Sequence, residues 1–423
     1  MERPLVHVGK DVLSHLLRFC AETGRRRFLL VADSNTWSVL GRTVETFLRS
    51  NKLDARSVVL TSKEDVADSD HILEVLLAID PTIQTLIAIG SGTITDIARF
   101  VSHKIGTSFV VLPTAPSVDG FTSLVSPLTL RGVKTTVKAH SPAAIFADLD
   151  VLSGAPRTMI AAGFGDMVGK HTAAADWRLA SLLWDLPYDE NIAERSLAAV
   201  RSCEAVVSSI GDASEAGVRT LFDGLVESGF CMLDSGNSLP ASGAEHHYSH
   251  FWEMKLLREG KPAILHGAKV GVATIFVAGL YEEIKDISKS RVVQLLETSK
   301  LPSRDGEINR INKAYGSVAA QVLPSQTKFL DMSEEAFEQI KERIHRHWSA
   351  IQEIAHGVPS PRRIAESLRA VGGPVSMRDI GLSDLDRDLA AENAHYMRNH
   401  FTISRLRRIL FPNGNSAASG ATA

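Results

Sequence analysis

The first third of the chain alternates short apolar, β-branched runs with segments of helical period, and this alternation restricts the fold more than any other feature. Predicted strands lie at 28–32, 57–60, 86–89, 108–112 and 144–147, and predicted helices at 38–53 and 67–79. Strands that alternate with helices are typical of a parallel sheet with helical crossovers. We therefore expect an α/β domain over residues 1–152.

The strand pattern disappears after about residue 152. Predicted helices follow at 191–211, 214–229, 268–285, 334–353 and 361–371, which indicates an all-helical domain over 153–412. Residues 413–423 are small and polar and are predicted to form a disordered tail. Because an α/β half is followed by a helical half, we expect a ligand-binding cleft between them.

The composition excludes several classes of partner. The 423 residues carry 46 basic and 49 acidic side chains, and aromatic residues make up 6%, so a nucleic-acid groove has no support. The N-terminus lacks the apolar segment of a signal peptide, and the longest apolar run, near 270–280, is too short to cross a bilayer. Three cysteines at unrelated spacings favour a reducing compartment. We expect a soluble, cytoplasmic protein without a membrane partner.

Histidines cluster in the helical half. His246, His250 and Glu253 are spaced at i, i+4 and i+7, which places them on one helix face. A turn then places His266 at the start of an apolar helix, whose small residues 267, 268 and 271 allow a second backbone to come close. A single histidine on a helix is more often packed or exposed than a ligand. Several converging imidazoles, however, suit Zn, Ni or Fe, and the cluster predicts a metal site.

Asp166, in the segment AAGFGDMVGK, is the candidate anionic ligand. It is expected in the first turn of the following helix, where an ordinary N-terminal acid facing the helix dipole is the simpler interpretation. Lys170 shares its helix face at i+4, either to orient Asp166 or to form a weak salt bridge.

Two segments of the α/β half are candidates for nucleotide contact. Gly90, Ser91, Gly92 and Thr93 form a strand-to-helix turn where backbone N–H groups can approach a pyrophosphate, although a bare GxG can also be a tight turn. Asp33 follows the first predicted strand, where a carboxylate can accept both ribose hydroxyls and disfavour NADP, or can simply cap a helix.

The loop after the fourth predicted strand, PTAPSVDGFTS, holds short polar side chains on a backbone stiffened by two prolines. Such a loop suits ligand contact, and a turn-rich crossover would look the same. Beyond it, Lys134 and Lys138 lie in a stretch without evident helix or strand period. They are possible counter-charges for a phosphate, or ordinary surface lysines.

In combination, GSGTITD, LPTAPSVDGFTS, AAGFGDMVGK, AEHHYSHFWE and LHGAKVGVAT resemble, in this order, the glycerol-1-phosphate dehydrogenase family. That family lies within the superfamily of iron-containing alcohol dehydrogenases and dehydroquinate synthases, and the resemblance extends over about 29–406. It implies a Rossmann-like N-terminal domain, a dehydroquinate synthase-like helical domain, one divalent metal and NAD or NADP. The implied reaction is the reduction of dihydroxyacetone phosphate to sn-glycerol 1-phosphate, and its reverse, for phospholipid biosynthesis in a homo-oligomer.

The resemblance also implies residue roles. Asp166, His246 and His266 correspond to the metal ligands, with Zn the first choice and Ni or Fe as alternatives. His250 corresponds to a proton relay, Asp119 to a substrate contact, and Arg398 to a group near the phosphate. NAD is favoured over NADP by Asp33. The further cofactor contacts implied are Gly90, Ser91, Gly92, Thr93, Ile94, Thr114, Ala115, Pro116, Ser117 and Ser123.

Two alternatives share these motifs. A related NAD-dependent dehydrogenase acting on another polyol or phosphopolyol would differ only in the lining of its pocket. A cyclising lyase of the dehydroquinate synthase kind carries Glu as the first metal ligand, so Asp166 favours a dehydrogenase.

Overall fold

The computed structural model describes residues 3–61, 66–130 and 133–412. Its N-terminal part is built on a sheet of six parallel strands in the order β1-β8-β5-β4-β2-β3, and a separate antiparallel pair, β6-β7, lies beside it. The strands are β1 (Leu5–Gly9), β2 (Arg27–Asp33), β3 (Asp54–Leu60), β4 (Thr85–Gly90), β5 (Ser108–Pro113), β6 (Val125–Leu130), β7 (Val133–Lys138) and β8 (Ala144–Asp148).

All five predicted strands are confirmed, and three strands were missed. β1 is a short edge strand that pairs with β8 and is half-exposed along most of its length, so it lacks the apolar run of its neighbours. β6 and β7 form a hairpin rich in Thr, Ser and Lys. Lys134 and Lys138, whose stretch shows no evident helix or strand period in the sequence, both belong to β7. A polar two-stranded ribbon has no continuous apolar face to reveal it.

Helices connect the strands of the parallel sheet, as the alternating pattern predicts. The segment predicted as one helix at 38–53 is helical from Ser34 to Ser50 and passes through a π-turn at Trp37–Gly41. The helices of this half are α1 (Val12–Thr23), α2 (Ser34–Thr36), α3 (Arg42–Ser50), α4 (Ser69–Leu77) and α5 (Gly92–Ile105), with a 3₁₀ turn at Gly120–Thr122.

The described residues after β8 form helices and no strands, and a domain boundary near residue 152 stays a prediction. The predicted helices 191–211 and 334–353 are each divided in two, and the predicted tail 413–423 lies outside the described residues. The helices are α6 (Leu149–Ser153), α7 (Arg157–Val168), α8 (Lys170–Trp184), α9 (Glu190–Ala205), α10 (Val207–Gly211), α11 (Glu215–Ser235), α12 (Ala244–Arg258), α13 (His266–Ile284), α14 (Lys289–Thr298), α15 (Arg304–Tyr315), α16 (Ala319–Val322), α17 (Thr327–Leu330), α18 (Glu334–Arg346), α19 (Trp348–Gly357), α20 (Pro361–Ala370), α21 (Asp384–Asn393) and α22 (Ile403–Leu410). Short 3₁₀ turns lie at Gly316–Val318, Leu323–Gln326, Arg378–Ile380 and Ala394–Tyr396.

The two halves share one hydrophobic core. One face of the sheet packs on α1 and α3, and the other packs with apolar side chains of α7 and α11, such as Phe164 and Leu225. A further core around Trp252 and Trp348 lies wholly within the helical half. In the part of the chain that the structure describes, no helix has the length and apolarity needed to cross a membrane.

Helices α7 and α13 cross at glycines. A Cβ atom added at Gly267 would lie 1.8 Å from the carbonyl oxygen of Ala162, and one at Gly165 would lie 2.3 Å from the carbonyl oxygen of Gly267. The Cα of Gly165 lies 3.2 Å from a Cβ built at Gly271, so the two backbones touch along this side. The close approach predicted from the small residues at 267 and 271 is confirmed, and its partner is the helix that carries Asp166.

Candidate active site

A cleft of about 610 Å³ opens where the carboxyl ends of the parallel strands meet the helical half. Carboxyl ends of strands in an open parallel sheet are the usual place for a ligand. The prediction that His246, His250 and Glu253 share one helix face is confirmed, since all three line this cleft. His266 and Asp119 line it as well.

Asp166, His246 and His266 come together at the floor of the cleft. One possible ligand atom from each lies within 4.8 Å of the others, although the three residues belong to α7, α12 and α13. Asp166 lies in the last turn of α7 and not in a first turn, so its interpretation as an N-terminal acid is wrong. The reason is that α7 begins at Arg157, after Pro156, and continues through Gly163 and Gly165.

Lys170 neutralises the acidic side of this group. Its side chain is fully buried, and its Nζ lies 3.1 Å from Oδ1 of Asp166 and 2.8 Å from Oδ2 of Asp119. Burial alone would raise the pKa of Asp166, but Lys170 and the hydrogen bond from His246 outweigh burial and hold that pKa well below its ordinary value. The carboxylate is therefore ionised, as a metal ligand must be.

Glu245 orients His246, and sequence reasoning missed it. The Oε1 of Glu245 lies 2.7 Å from Nδ1 of His246, which turns Nε2 toward Oδ1 of Asp166 at 3.5 Å. Glu245 is itself held by the backbone N–H of Gly243 and the hydroxyl of Thr172, both at 2.7 Å. A carboxylate that fixes one ring nitrogen is the usual support of a metal-binding histidine. The sequence signal was an acidic residue directly before His246.

The other histidines of the cluster differ in environment. Burial holds the pKa of His266 well below its ordinary value. Burial also lowers the pKa of His250 to about 4, despite Glu253, whose carboxylate lies 3.2 Å from Nδ1 of His250. Both imidazoles are thus neutral near pH 7. His247 points away from the group toward His400, with ring centroids 6.1 Å apart.

The loop between β5 and β6 is tied directly to the buried carboxylate. The backbone N–H of Asp119 donates to Oδ2 of Asp166 at 3.0 Å. The side chain of Asp119 accepts from the hydroxyl of Ser228 at 2.8 Å and also contacts Lys170. Gly163 permits this approach, because a Cβ there would lie 1.8 Å from the carbonyl oxygen of Pro116.

The predicted nucleotide contacts separate into two groups. Ser91, Gly92, Thr93, Ser117 and Ser123 line the cleft, and the first three open helix α5. The other predicted contacts do not line the cleft and are buried beneath the residues that do: Gly90, Ile94, Thr114, Ala115 and Pro116.

Asp33 stands at the carboxyl end of β2 and caps the helix that follows. Its Oδ1 accepts from the backbone N–H groups of Asn35 and Thr36, each at 2.8 Å. The helix-cap interpretation of Asp33 is therefore confirmed for this oxygen. A ribose contact stays a prediction, and it would use the second carboxylate oxygen.

Arg398 lines the helical side of the cleft. Its Nη1 donates to the hydroxyl of Ser238 at 2.8 Å and lies 3.5 Å from that of Ser242, and both serines also line the cleft. The serines carry no motif, so sequence reasoning missed them. Together they form a cationic, hydrogen-bonding corner beside His246 and His250.

Comparison with known proteins gives the family. A sequence model described as iron-containing alcohol dehydrogenase matches residues 7–156. The chain is 35% identical to the glycerol-1-phosphate dehydrogenase (NAD(P)+) of Geobacillus thermodenitrificans (strain NG80-2) over 94% of this chain and 90% of that protein. It is 34% identical to the protein of the same name from Bacillus subtilis (strain 168), over 94% of this chain and 89% of the relative.

The chain belongs to the glycerol-1-phosphate dehydrogenase family. Solved structures with the same fold include maleylacetate reductase from Agrobacterium tumefaciens, with a TM-score of 0.61 at 13% identity over 97% of both chains. A probable glycerol dehydrogenase from Sinorhizobium meliloti 1021 matches with a TM-score of 0.59 at 17% identity, again over 97% of both chains. The glycerol-1-phosphate dehydrogenase family consists of oxidoreductases, so the cleft described above is the candidate active site of an oxidoreductase.

Proposed function

We propose that this protein reduces dihydroxyacetone phosphate to sn-glycerol 1-phosphate with NADH or NADPH, and that it catalyses the reverse reaction. The observation that carries the proposal is the convergence of Asp166, His246 and His266 in a cleft that the glycine turn at Ser91 and Gly92 also lines. The names of the relatives, glycerol-1-phosphate dehydrogenase (NAD(P)+), support the same substrate and cofactor.

The residues at the floor of the cleft fit a divalent metal ion. One ionised carboxylate and two imidazoles are a donor set for Zn, Ni or Fe, and we propose Zn first. Glu245 occupies Nδ1 of His246, which leaves Nε2 as the ligand atom. His266 stays neutral because burial lowers its pKa. A cation bound there supplies Lewis-acid polarisation of the substrate carbonyl, an effect worth several kcal/mol of activation barrier.

His250 is proposed as the proton relay. Its Nδ1 faces the carboxylate of Glu253, so this nitrogen carries the proton and Nε2 is left to exchange a proton with the substrate oxygen. Reduction of the carbonyl adds a hydride to carbon and requires one proton on oxygen. Because the neutral ring of His250 holds its own proton on Nδ1, Nε2 relays the required proton by taking one from water in the open cleft and passing it to the oxygen, and the ring ends neutral as it began.

Asp119 and Arg398 are proposed to orient the substrate from opposite sides. Lys170 and Ser228 hold Oδ2 of Asp119 in place, so the carboxylate is pre-organised to accept from a substrate hydroxyl. Arg398, with the hydroxyls of Ser238 and Ser242 beside it, offers donors for a phosphate. Two fixed ends limit which face of the carbonyl is presented to the cofactor.

The nucleotide is proposed to bind at the start of α5. This helix begins at Gly92, and the backbone N–H groups at a helix start, with the positive end of the helix dipole, suit a pyrophosphate. A side chain at Gly92 would press on Val118, whose Cγ2 lies 3.2 Å from a Cβ built there. Asp33, at the neighbouring strand end, supports NAD over NADP because its charge repels a 2′-phosphate.

The test is an absorbance assay with purified, metal-loaded protein. NADH or NADPH is supplied with a panel of ketose phosphates and free ketones, and we expect oxidation of the reduced nucleotide with dihydroxyacetone phosphate. The product should not be oxidised by an sn-glycerol 3-phosphate dehydrogenase, which identifies the 1-phosphate. Turnover with another ketone alone would assign a different polyol, and the absence of net redox change with every ketone would favour the lyase.

We further propose that the enzyme works as a cytoplasmic homo-oligomer whose product serves phospholipid synthesis. Size-exclusion chromatography with light scattering tests the first part, and a monomer of 45.9 kDa would contradict it.

A further inference from the structure

A second cavity, of about 320 Å³, lies in the helical half. It is bounded by the chain before α15, the first turns of α15, the segment around Phe329, and α22. It shares no lining residue with the cleft described above. We name it the α15 cavity.

The lining of the α15 cavity is strongly cationic. Four basic side chains, Lys300, Arg310, Arg405 and Arg408, and one carboxylate, Glu307, belong to the described residues that line it. Glu307 is already engaged, because it accepts from the hydroxyl of Tyr396 and from Arg408. Lys300 and Arg310 are exposed and lie at the rim. The cavity therefore carries a surplus of positive charge.

Arg405 is the most unusual of these residues. It is 2% exposed, and its Nε and Nη2 donate to neutral oxygens, which include the side-chain oxygen of Gln326 and the carbonyl of His395. Its Nη1 is buried and has no hydrogen-bond partner among the described residues. A buried cation with a free donor and no carboxylate in contact is unfavourable unless an anion accepts from that donor and balances the charge.

The other residues that line the cavity add a helix N-terminus and an apolar surface. Helix α15 begins at Arg304, and Ser303 and Gly306 of its first turn line the cavity, so the positive end of the helix dipole lies at the site. Leu301, Phe337 and Ile409 add apolar surface. The guanidinium of Arg405 lies over the ring of Phe329, 4.3 Å from its centroid.

We propose that the α15 cavity binds a phosphate monoester that carries a small planar or apolar group. The phosphate oxygens accept from Arg405 and from the rim cations, and the apolar group rests between Phe337 and Ile409. The charged Nη1 of Arg405 offers N–H donors that no described residue uses, and hydrogen bonds from a charged donor to a phosphate oxygen are stronger than neutral ones.

The test uses full-length protein and calorimetric titration with phenyl phosphate, inorganic phosphate and benzyl alcohol at low salt. The rim variant Lys300→Ala/Arg310→Ala removes two cations of the cavity. The matched control Lys289→Ala/Lys313→Ala removes two exposed lysines from α14 and α15 that do not line it. Phenyl phosphate should bind the control as it binds the natural protein. It should bind the rim variant about thirtyfold more weakly, because two of the cations that attract the phosphate are removed.

Two further readouts locate the binding event. Hydrogen exchange over residues 299–307 should slow when phenyl phosphate is added to the natural protein, and should slow less in the rim variant at the same concentration. The turnover of the rim variant should equal that of the control, because neither pair touches the cleft. Equal phenyl phosphate affinity in both double variants, protection confined to the cleft, or equal binding of benzyl alcohol would each overturn the proposal.

Discussion

Substitution of Gly267 by alanine tests whether the helix crossing builds the candidate metal site. The new Cβ would lie 1.8 Å from the carbonyl oxygen of Ala162 and 3.1 Å from the backbone nitrogen of Asp166. Since real Cβ contacts are essentially never shorter than 3.0 Å, α7 and α13 must separate by more than 1 Å. Both near atoms belong to backbone, so no side chain can move aside to relieve the contact.

The magnitude follows from two opposing effects. Overpacking of a tight interior contact costs about 1–3 kcal/mol or more. A glycine-to-alanine change inside a helix otherwise stabilises by up to ~1 kcal/mol. Gly279, on the same helix, isolates the second effect, because a Cβ there meets only Cγ of Pro361 at 3.9 Å. Because the helix-propensity effect is common to both variants, we expect Gly267→Ala to be about 1–3 kcal/mol less stable than Gly279→Ala.

Urea unfolding measures the stability difference, read as a shift of midpoint at equal slope. Metal affinity is measured on the folded variants by competition with a chromophoric chelator. Because ligand distances tolerate only about 0.2 Å, separating Asp166 from His266 should also weaken metal binding. If Gly267→Ala matches Gly279→Ala in both stability and metal affinity, the crossing does not position the ligands and the reasoning fails.

Four further outcomes are expected. Asp166→Ala and His266→Ala should lose metal, measured by elemental analysis, together with turnover, while His250→Ala should keep the metal and lose about 10²–10⁴ in kcat. Full metal occupancy after both ligand changes would refute the assignment of the ligands. Glu245→Ala should weaken metal binding about 10–100-fold, and Glu245→Gln less, because it keeps an acceptor oxygen for His246; unchanged affinity in Glu245→Ala would exclude an orienting role. Burial and Glu245 raise the pKa of Asp176 from 3.8 to about 7, so the folded state holds this proton more tightly; the stability that the proton contributes is present below about pH 4 and is lost as the pH rises through 7. Urea unfolding at pH 5 and at pH 8 should therefore show the natural protein losing more stability than Asp176→Asn, at up to about 1.4 kcal/mol per pKa unit. Parallel pH profiles of the two proteins would contradict this. Asp33→Ser keeps a helix-capping oxygen but removes the charge, so the ratio of kcat/KM with NADPH to kcat/KM with NADH should rise while stability against urea changes little. An unchanged ratio would exclude a role for Asp33 in cofactor choice.

The sequence predicted some elements well and others poorly, for physical reasons. Four of the five predicted strands, β2, β4, β5 and β8, lie inside the sheet and are continuous apolar runs because helices cover both faces of a parallel sheet. The fifth, β3, is an edge strand that its β-branched run at 58–59 still revealed. β1 and the β6-β7 hairpin were missed because an exposed edge and a polar ribbon carry no such run. The predicted position of Asp166 in the first turn of a helix was wrong, since Gly163 and Gly165 before it indicated a loop where helix α7 in fact continues. Their real role is to let other backbones approach α7, which only the packing shows.

The sequence by itself determined the periodic features of this protein: the alternation of strands and helices, and the spacing that places His246, His250 and Glu253 on one face. These follow from backbone geometry within a single element. Only the tertiary structure showed how Asp166 is brought to the histidines, how Lys170 balances its charge and Glu245 orients His246, and that Arg405 lies buried with a free donor. Those contacts join residues up to about a hundred positions apart, and they depend on how closely helices pack, which no local pattern encodes.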